Sequence, residues 1–253
     1  MKIQVLIPVP RIAFAGILSC AVICPVYGQE VRVREIGQAL PSITSDTVTR
    51  AATAVITTPI VITESGNYRL NTNIRAVQGN AIEIQTSFVT LDLNGFHVEA
   101  LAGSAIVAAS TVVFEKIAVI NGSVTASQDG LFLAVDDCRI ENLQVSARLG
   151  RAITGQNCIV RNNTVSRSRV GIDCRLCLVT GNSIAFVTDV GISAKLGSSV
   201  LGNRVGFGAG IGLDLDGDTG YATNVLVNNA GGDVMQGVQI GQNLCGTSGI
   251  CPP

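Results

Sequence analysis

The stretch FVTLDLNGFHV, Phe88 to Val98, alternates apolar and polar residues along its first half. A period of two belongs to an extended strand with one buried face, so Val89, Leu91 and Leu93 are expected to face inward while Thr90, Asp92 and Asn94 face outward or turn. The pattern returns along the chain with no intervening stretch of helical periodicity. A small residue followed by an aliphatic one recurs as Ala81-Ile82, Ala105-Ile106, Gly130-Leu131, Ala152-Ile153, Gly171-Ile172, Gly191-Ile192 and Gly210-Ile211. A second ladder, sometimes one place out of register, runs Asn94, Asn121, Asn142, Asn163, Asn182 and Asn203. Val124, Val145, Val165, Ile184 and Val205 follow those asparagines as a third.

Three ladders drifting together at a period of roughly twenty residues describe a chain coiling about one axis. Each coil stacks its strands on the one before, about 4.8 Å away. Equivalent side chains then meet their own kind: aliphatics fill the interior, and asparagine, which tolerates the left-handed backbone region, turns the corners. The expectation is an all-β, single-domain parallel solenoid of about eight coils. Residues 58–224 form the coils, 29–57 cover the first open end with a short helix starting near Ser45, and 225–253 supply the last coil and tail. Covered ends matter because a bare strand edge invites pairing with another chain.

The small-Ile and Asn ladders, VTLDLNGF with the preceding ITESGNYRL, and the ending GQNLCGTSGICPP resemble the right-handed parallel β-helix of the pectate-lyase-like kind and the wider group of exported β-helix repeat proteins. The resemblance spans Thr58 to Pro253 and implies architecture far more than activity, because this fold hosts lyases, hydrolases, epimerases, phage spikes and adhesins alike. Right-handedness is what the resemblance and the general crossover preference imply.

Composition adds a compartment. Residues 1–28 read as a signal peptide: Lys2 and Arg11 flank an apolar run, Ile12 to Cys24, that is too short to span a bilayer, and small or modest residues follow at Val26-Tyr27-Gly28. Cleavage there leaves 225 of the 253 residues, secreted or periplasmic and without a transmembrane segment. Removing Lys2 and Arg11 from 17 basic residues leaves 15 against 18 acidic, a net charge near −3 that argues against a nucleic-acid partner. Six cysteines remain in an oxidising compartment. Cys245 and Cys251 would clip the terminal loop. Cys138, Cys158 and Cys177 fall on equivalent places of successive coils, within the Cα separation a disulfide accepts. We expect Cys138 to pair with Cys158 and Cys174 with Cys177, the alternative being thiols stacked as small hydrophobes. Cys174-Arg175-Leu176-Cys177 has redox CxxC spacing without the βαβ context that such a motif needs.

Candidate chemistry is sparse. His97, the sole histidine, follows an Asn-Gly corner far along the axis from most acidic residues, and a structural role is expected. Asp136-Asp137 resemble the paired acids of polygalacturonase-like hydrolases but lack the further acids and the histidine motif, so they are read as a solvated corner. DLDGDTG places Asp214, Asp216 and Asp218 at alternate positions, where three carboxylates would offer Ca2+ a partial oxygen shell; Thr219 and Val225 stand where an EF-hand loop needs glycine and glutamate. Between Arg139 and Arg175 seven arginines face Glu141 and Asp173. Ladder alignment pairs Arg161 with Glu141 and Arg169 with Asp189, and leaves Arg148, Arg151, Arg167 and Arg175 for carboxylates of another molecule.

The expected function is that of an exported β-helix protein presenting its long face to an acidic polysaccharide or the cell envelope, without an evident catalytic site or cofactor. Two alternatives stand beside it. One is a lyase or epimerase on acidic polysaccharide, using arginine and Ca2+ as the resemblance implies. The other is an adhesin-like structural spacer. Sugar clefts usually offer rings for stacking, and the absence of tryptophan with few other aromatic residues weighs against every reading that binds sugar tightly.

Overall fold

In the computed structural model the described residues are 33–36, for which only the backbone is considered, 53–109, 113–246 and 251. The leader 1–28, with Cys20 and Cys24, and the helix expected near Ser45 lie outside them. The described chain is all strand and turn, wound into a parallel solenoid of right-handed type with about nine coils. Each coil has three faces. The first is a nine-stranded parallel sheet running from Ile60–Ile62 through Ile82–Ile84, Arg151–Gln156, Val170–Arg175, Val190–Lys195 and Ile211–Leu215 to Val234–Met235. The second carries Gly66–Leu70, Val89–Asp92, Cys158–Arg161, Leu178–Thr180, Ser199–Leu201 and Gly220–Ala222; the third carries Asn73–Ala76, His97–Ala100, Thr164–Ser166, Ser183–Ala185, Arg204–Gly206 and Val225–Val227. Two long strands, Glu115–Ala126 and Asp136–Ala147, turn at Asn121 and Asn142 between the second and third faces without losing their pairing and join those faces into one sheet.

The ladders become stacks. On the first face Ile60, Ile82, Ile106, Leu131, Ile153, Ile172 and Ile192 lie in register, followed by Leu213. The last rung is therefore Gly212-Leu213, not Gly210-Ile211: Ile211 pairs with Val190 because this coil is two residues longer than the ladder spacing suggested. Glycine at these rungs reflects close approach, since a Cβ at Gly191 would collide with Val205 and the Gly212 carbonyl. Val124, Val145, Val165, Ile184 and Val205 stack on the third face as their spacing implied. In the opening stretch Val89, Leu91 and Leu93 are buried and Asn94 turns with φ 51°.

The solenoid starts earlier than residue 58. Val33–Ile36 pairs with 67–70 and Thr53–Ile56 with 73–76, so these parts of the expected cap are strands extending the sheets, and the coil count rises from about eight to about nine. Tyr221 likewise continues its sheet, stacking on Val200 and lying under Gln239.

The asparagine ladder resolves into two. Asn94, Asn121, Asn142 and Asn162 occupy the left-handed corner between second and third faces, succeeded by Gly181, Gly202 and Thr223. One residue later, Asn163, Asn182, Asn203, Asn224 and Asn243 turn inward and are buried. Each of the first four donates its Nδ2 to the Oδ1 of the next, at 3.0 to 3.1 Å, while that same oxygen accepts the preceding asparagine's backbone N–H at 2.9 Å. The second Nδ2 hydrogen reaches a carbonyl of the coil before, Ile140, Val160, Val179 or Val200. A buried amide is tolerable only when its donors and acceptors are satisfied, and this stack satisfies them repeatedly.

Candidate functional site

The expected sites are best judged by what each side chain holds. Asp214 faces out on the first face and accepts from Lys195 Nζ at 2.7 Å. Asp216 is turned back: its carboxylate accepts the Leu196 N–H at 2.6 Å and the Thr219 hydroxyl at 2.6 Å, and those bonds, the hydroxyl's first, hold its pKa below the ordinary value. Asp218 is exposed on the turn. Two of the three acids expected to gather around Ca2+ are thus held by other groups while Asp218 stands in solvent, and among the described residues no three His, Cys, Asp or Glu side chains are placed to share a metal ion. The turn geometry is the reason: an aspartate that bonds neighbouring donors to close its own turn points away from a shared centre.

His97 begins a third-face strand. Its backbone N–H donates to Asn73 Oδ1 at 2.8 Å and its Nδ1 lies 2.8 Å from Ser123 Oγ. Burial lowers its pKa below 6.5, with Glu99 opposing. Asp136 and Asp137 are both exposed, Asp137 at a left-handed corner with φ 57°, which is the solvated turn their sequence suggested. The cysteines are bridged as 138–158, 174–177 and 245–251, with Cα separations of 4.4, 6.0 and 4.7 Å. Gly155 makes room for the first bridge, since a Cβ there would lie 2.6 Å from Cys158 Sγ.

The charged groups sort into two sets. Arg69 with Asp92, Arg75 with Glu99, Arg161 and Arg139 with Glu141, Arg169 with Asp189, and Lys195 with Asp214 form ion pairs on the outer surface. Arg151 joins them, its Nε 2.8 Å from Asp173 Oδ2, so the expectation that it stands free is corrected. The long side chain reaches along the first face to an acid on the next coil, a diagonal the ladder alignment does not reveal. Among the described residues Arg148, Arg167, Arg175 and Arg204 have no carboxylate partner.

These four do not form one flank. Arg148 and Arg167 lie at the corner between third and first faces, in successive coils: Ala147 donates its N–H to Ser168 Oγ across that step. Arg175 ends a first-face strand at the opposite corner. Arg204 faces out from the third face, in register above Ser183. Its partnerless state was missed because it lies beyond the arginine-rich stretch that drew attention. Also missed were Phe186 and Phe207, which follow Arg167 up the same corner with φ near 56° and whose rings stack 6.0 Å apart. Their spacing, one coil apart, was the available signal. A hollow of about 570 Å³ lies at the far end of the solenoid, lined by Thr223, Asn224, Val225, Gln239, Gln242, Asn243 and Leu244, and it contains no ionisable side chain.

No family model matches this sequence, and no curated protein matches it. Among solved structures, the chain is similar to the crystal structure of the Dettilon tailspike protein, at 13% identity and a TM-score of 0.39, over 77% of this chain. The match spans 61% of that chain. No helix among the described residues is long and apolar enough to cross a membrane. The three disulfides suit an extracellular, oxidising setting.

Proposed function

We propose that this is an exported β-helix protein, delivered by residues 1–28, that binds acidic polysaccharide through its outer surface and performs no chemistry on it. The observation that carries this reading is that four exposed arginines, Arg148, Arg167, Arg175 and Arg204, have no carboxylate partner among the described residues, and three of them lie along one side of the upper coils. A lyase or epimerase needs a free base beside a stabilised anion; the six paired carboxylates are poor bases because the cation favours their ionised, hydrogen-bonded form, and the exposed Asp136 and Asp137 stand on a different corner from Arg148 and Arg167. An unpaired guanidinium, by contrast, offers a planar fork that matches a uronate carboxylate.

The test is incubation of the exported protein with pectates, alginates and glycosaminoglycans, with and without Ca2+, reading ultraviolet absorbance for unsaturated uronide ends and sedimentation for binding. Co-sedimentation with a flat absorbance trace is the expected result. A Ca2+-dependent rise in absorbance would replace this reading with the pectate-lyase-like one, and neither signal on any polymer would leave the adhesin-like spacer.

A further inference from the structure

The corner between third and first faces presents, in successive coils, Arg167, Phe186 and Phe207, each in the left-handed region with φ 54°, 56° and 57°. Bulky side chains rarely take that conformation. The turn itself does not ask for a ring, because the next coil makes it with Asn228 at φ 55°. Nor does folding bury the rings: Phe186 is 62% and Phe207 48% exposed. Two stacked phenyl groups are thus held in water, on a backbone that disfavours them, in a chain with few aromatics and no tryptophan. Strained, exposed features of this kind cluster where a protein meets a ligand.

Their surroundings specify the ligand. Beside the ridge, Ser166 and Ala185 stack in register and are partly exposed, and Gly206 above them is covered by Val227, so a strip of small residues runs along the ridge and is closed at its upper end. Arg204 borders the strip on its far side, two residues before Gly206, and Arg167 and Arg148 extend the ridge downward. None of these arginines has a carboxylate partner among the described residues. Flat apolar rings next to open guanidinium groups match a sugar ring that carries an apolar C–H face and a carboxylate. Resting on the polysaccharide reading above, we infer that the strip between the Arg167–Phe186–Phe207 ridge and Arg204 is the binding site, and that it takes a uronate polymer lying parallel to the solenoid axis, one coil per contact.

The test is affinity electrophoresis of the full protein through gels containing polygalacturonate, alginate or neutral dextran. Both uronate polymers retard the wild type, added salt weakens the retardation, and dextran has no effect. Phe186→Asn with Phe207→Asn, which suits the left-handed corner as Asn228 does, weakens retardation at least tenfold without lowering Tm. Arg167→Gln with Arg204→Gln weakens it similarly and reduces its salt dependence, while Arg75→Gln, at a guanidinium already paired with Glu99 in the lower coils, changes nothing. If no uronate polymer retards the wild type, the polysaccharide reading falls and this site with it. Equal retardation of the phenylalanine variants and the wild type would overturn the site alone. Retardation by single-stranded nucleic acid in place of uronates would overturn the ligand class.

Discussion

The lower coils, residues 53–147, and the upper coils, residues 158–245, share one winding but fill the corner between second and third faces differently. Below, Leu93 and Leu143 point inward there and Gly122 leaves space for Leu93, so the corner is apolar and two strands cross it unbroken. Above, asparagines take the inner place and the faces separate into short strands. Leu143 marks the junction, its N–H donating to Asn163 Oδ1 at 3.0 Å. The outer surfaces differ as well. Arg69, Arg75 and Arg139 in the lower coils are each paired, whereas the unpaired Arg167, Arg175 and Arg204 and the stacked phenylalanines belong to the upper coils, with Arg148 at the boundary. The comparison teaches that a corner of this solenoid has two stable interiors, and that the hydrogen-bonded one accompanies the surface that carries the unpaired arginines and the stacked rings.

The sharpest way to break the contrast is Asn203→Leu. It places an apolar corner inside the amide stack, takes the Oδ1 acceptor from the Asn182 N–H and Nδ2 and the Nδ2 donor from the Val179 carbonyl, and leaves Asn224 Oδ1 with only the backbone N–H of residue 203. At roughly 1–3 kcal/mol for each buried group left unsatisfied, partly relieved by relaxation, stability falls by about 4 kcal/mol in denaturant unfolding. Leu143→Ala attacks the apolar interior instead and leaves a cavity, lowering stability by about 3 kcal/mol. The upper-coil loss exceeds the lower-coil loss if the ladder acts as one network; a near-neutral Asn203→Leu would show that it does not.

Smaller effects sharpen the surface half of the comparison. Arg75→Gln removes an exposed ion pair and lowers stability by less than about 1 kcal/mol, measured by the same unfolding curves. The pH dependence from His97 is slighter. Its pKa in the folded protein lies below 6.5, so on acidification the unfolded chain takes up its proton first and the folded state loses stability as pH falls through 6.5. Tm therefore declines between neutral and mildly acidic pH, and His97→Gln flattens that part of the profile.

Much of this architecture was legible because stacked coils repeat chemistry at fixed intervals. The aliphatic ladders map onto the registers with one shift, Gly212-Leu213 for Gly210-Ile211, where GIGL offers two equivalent pairs and only strand pairing decides between them. The asparagines were found but merged: Asn162 and Asn163 are neighbours, one turning the corner and one filling it, and spacing of about twenty residues does not separate the two roles. Continuing that spacing would have added Asn224 and Asn243. The candidate site was less legible. Whether an arginine is free depends on acids one coil away and several positions along, as Arg151 and Asp173 show, and DLDGDTG is a turn whose carboxylates serve their own backbone and neighbours. Phe186 and Phe207 stand one coil apart, which marks them as a stack, and their outward, left-handed placement then separates that stack from the core.

Amide hydrogen exchange with and without polygalacturonate tests the division of labour most directly. Binding is predicted to slow exchange in segments spanning 164–168, 183–188 and 204–208, with no change across 66–76 in the lower coils. Protection confined to the lower coils, or no protection anywhere at saturating polymer, would contradict the account.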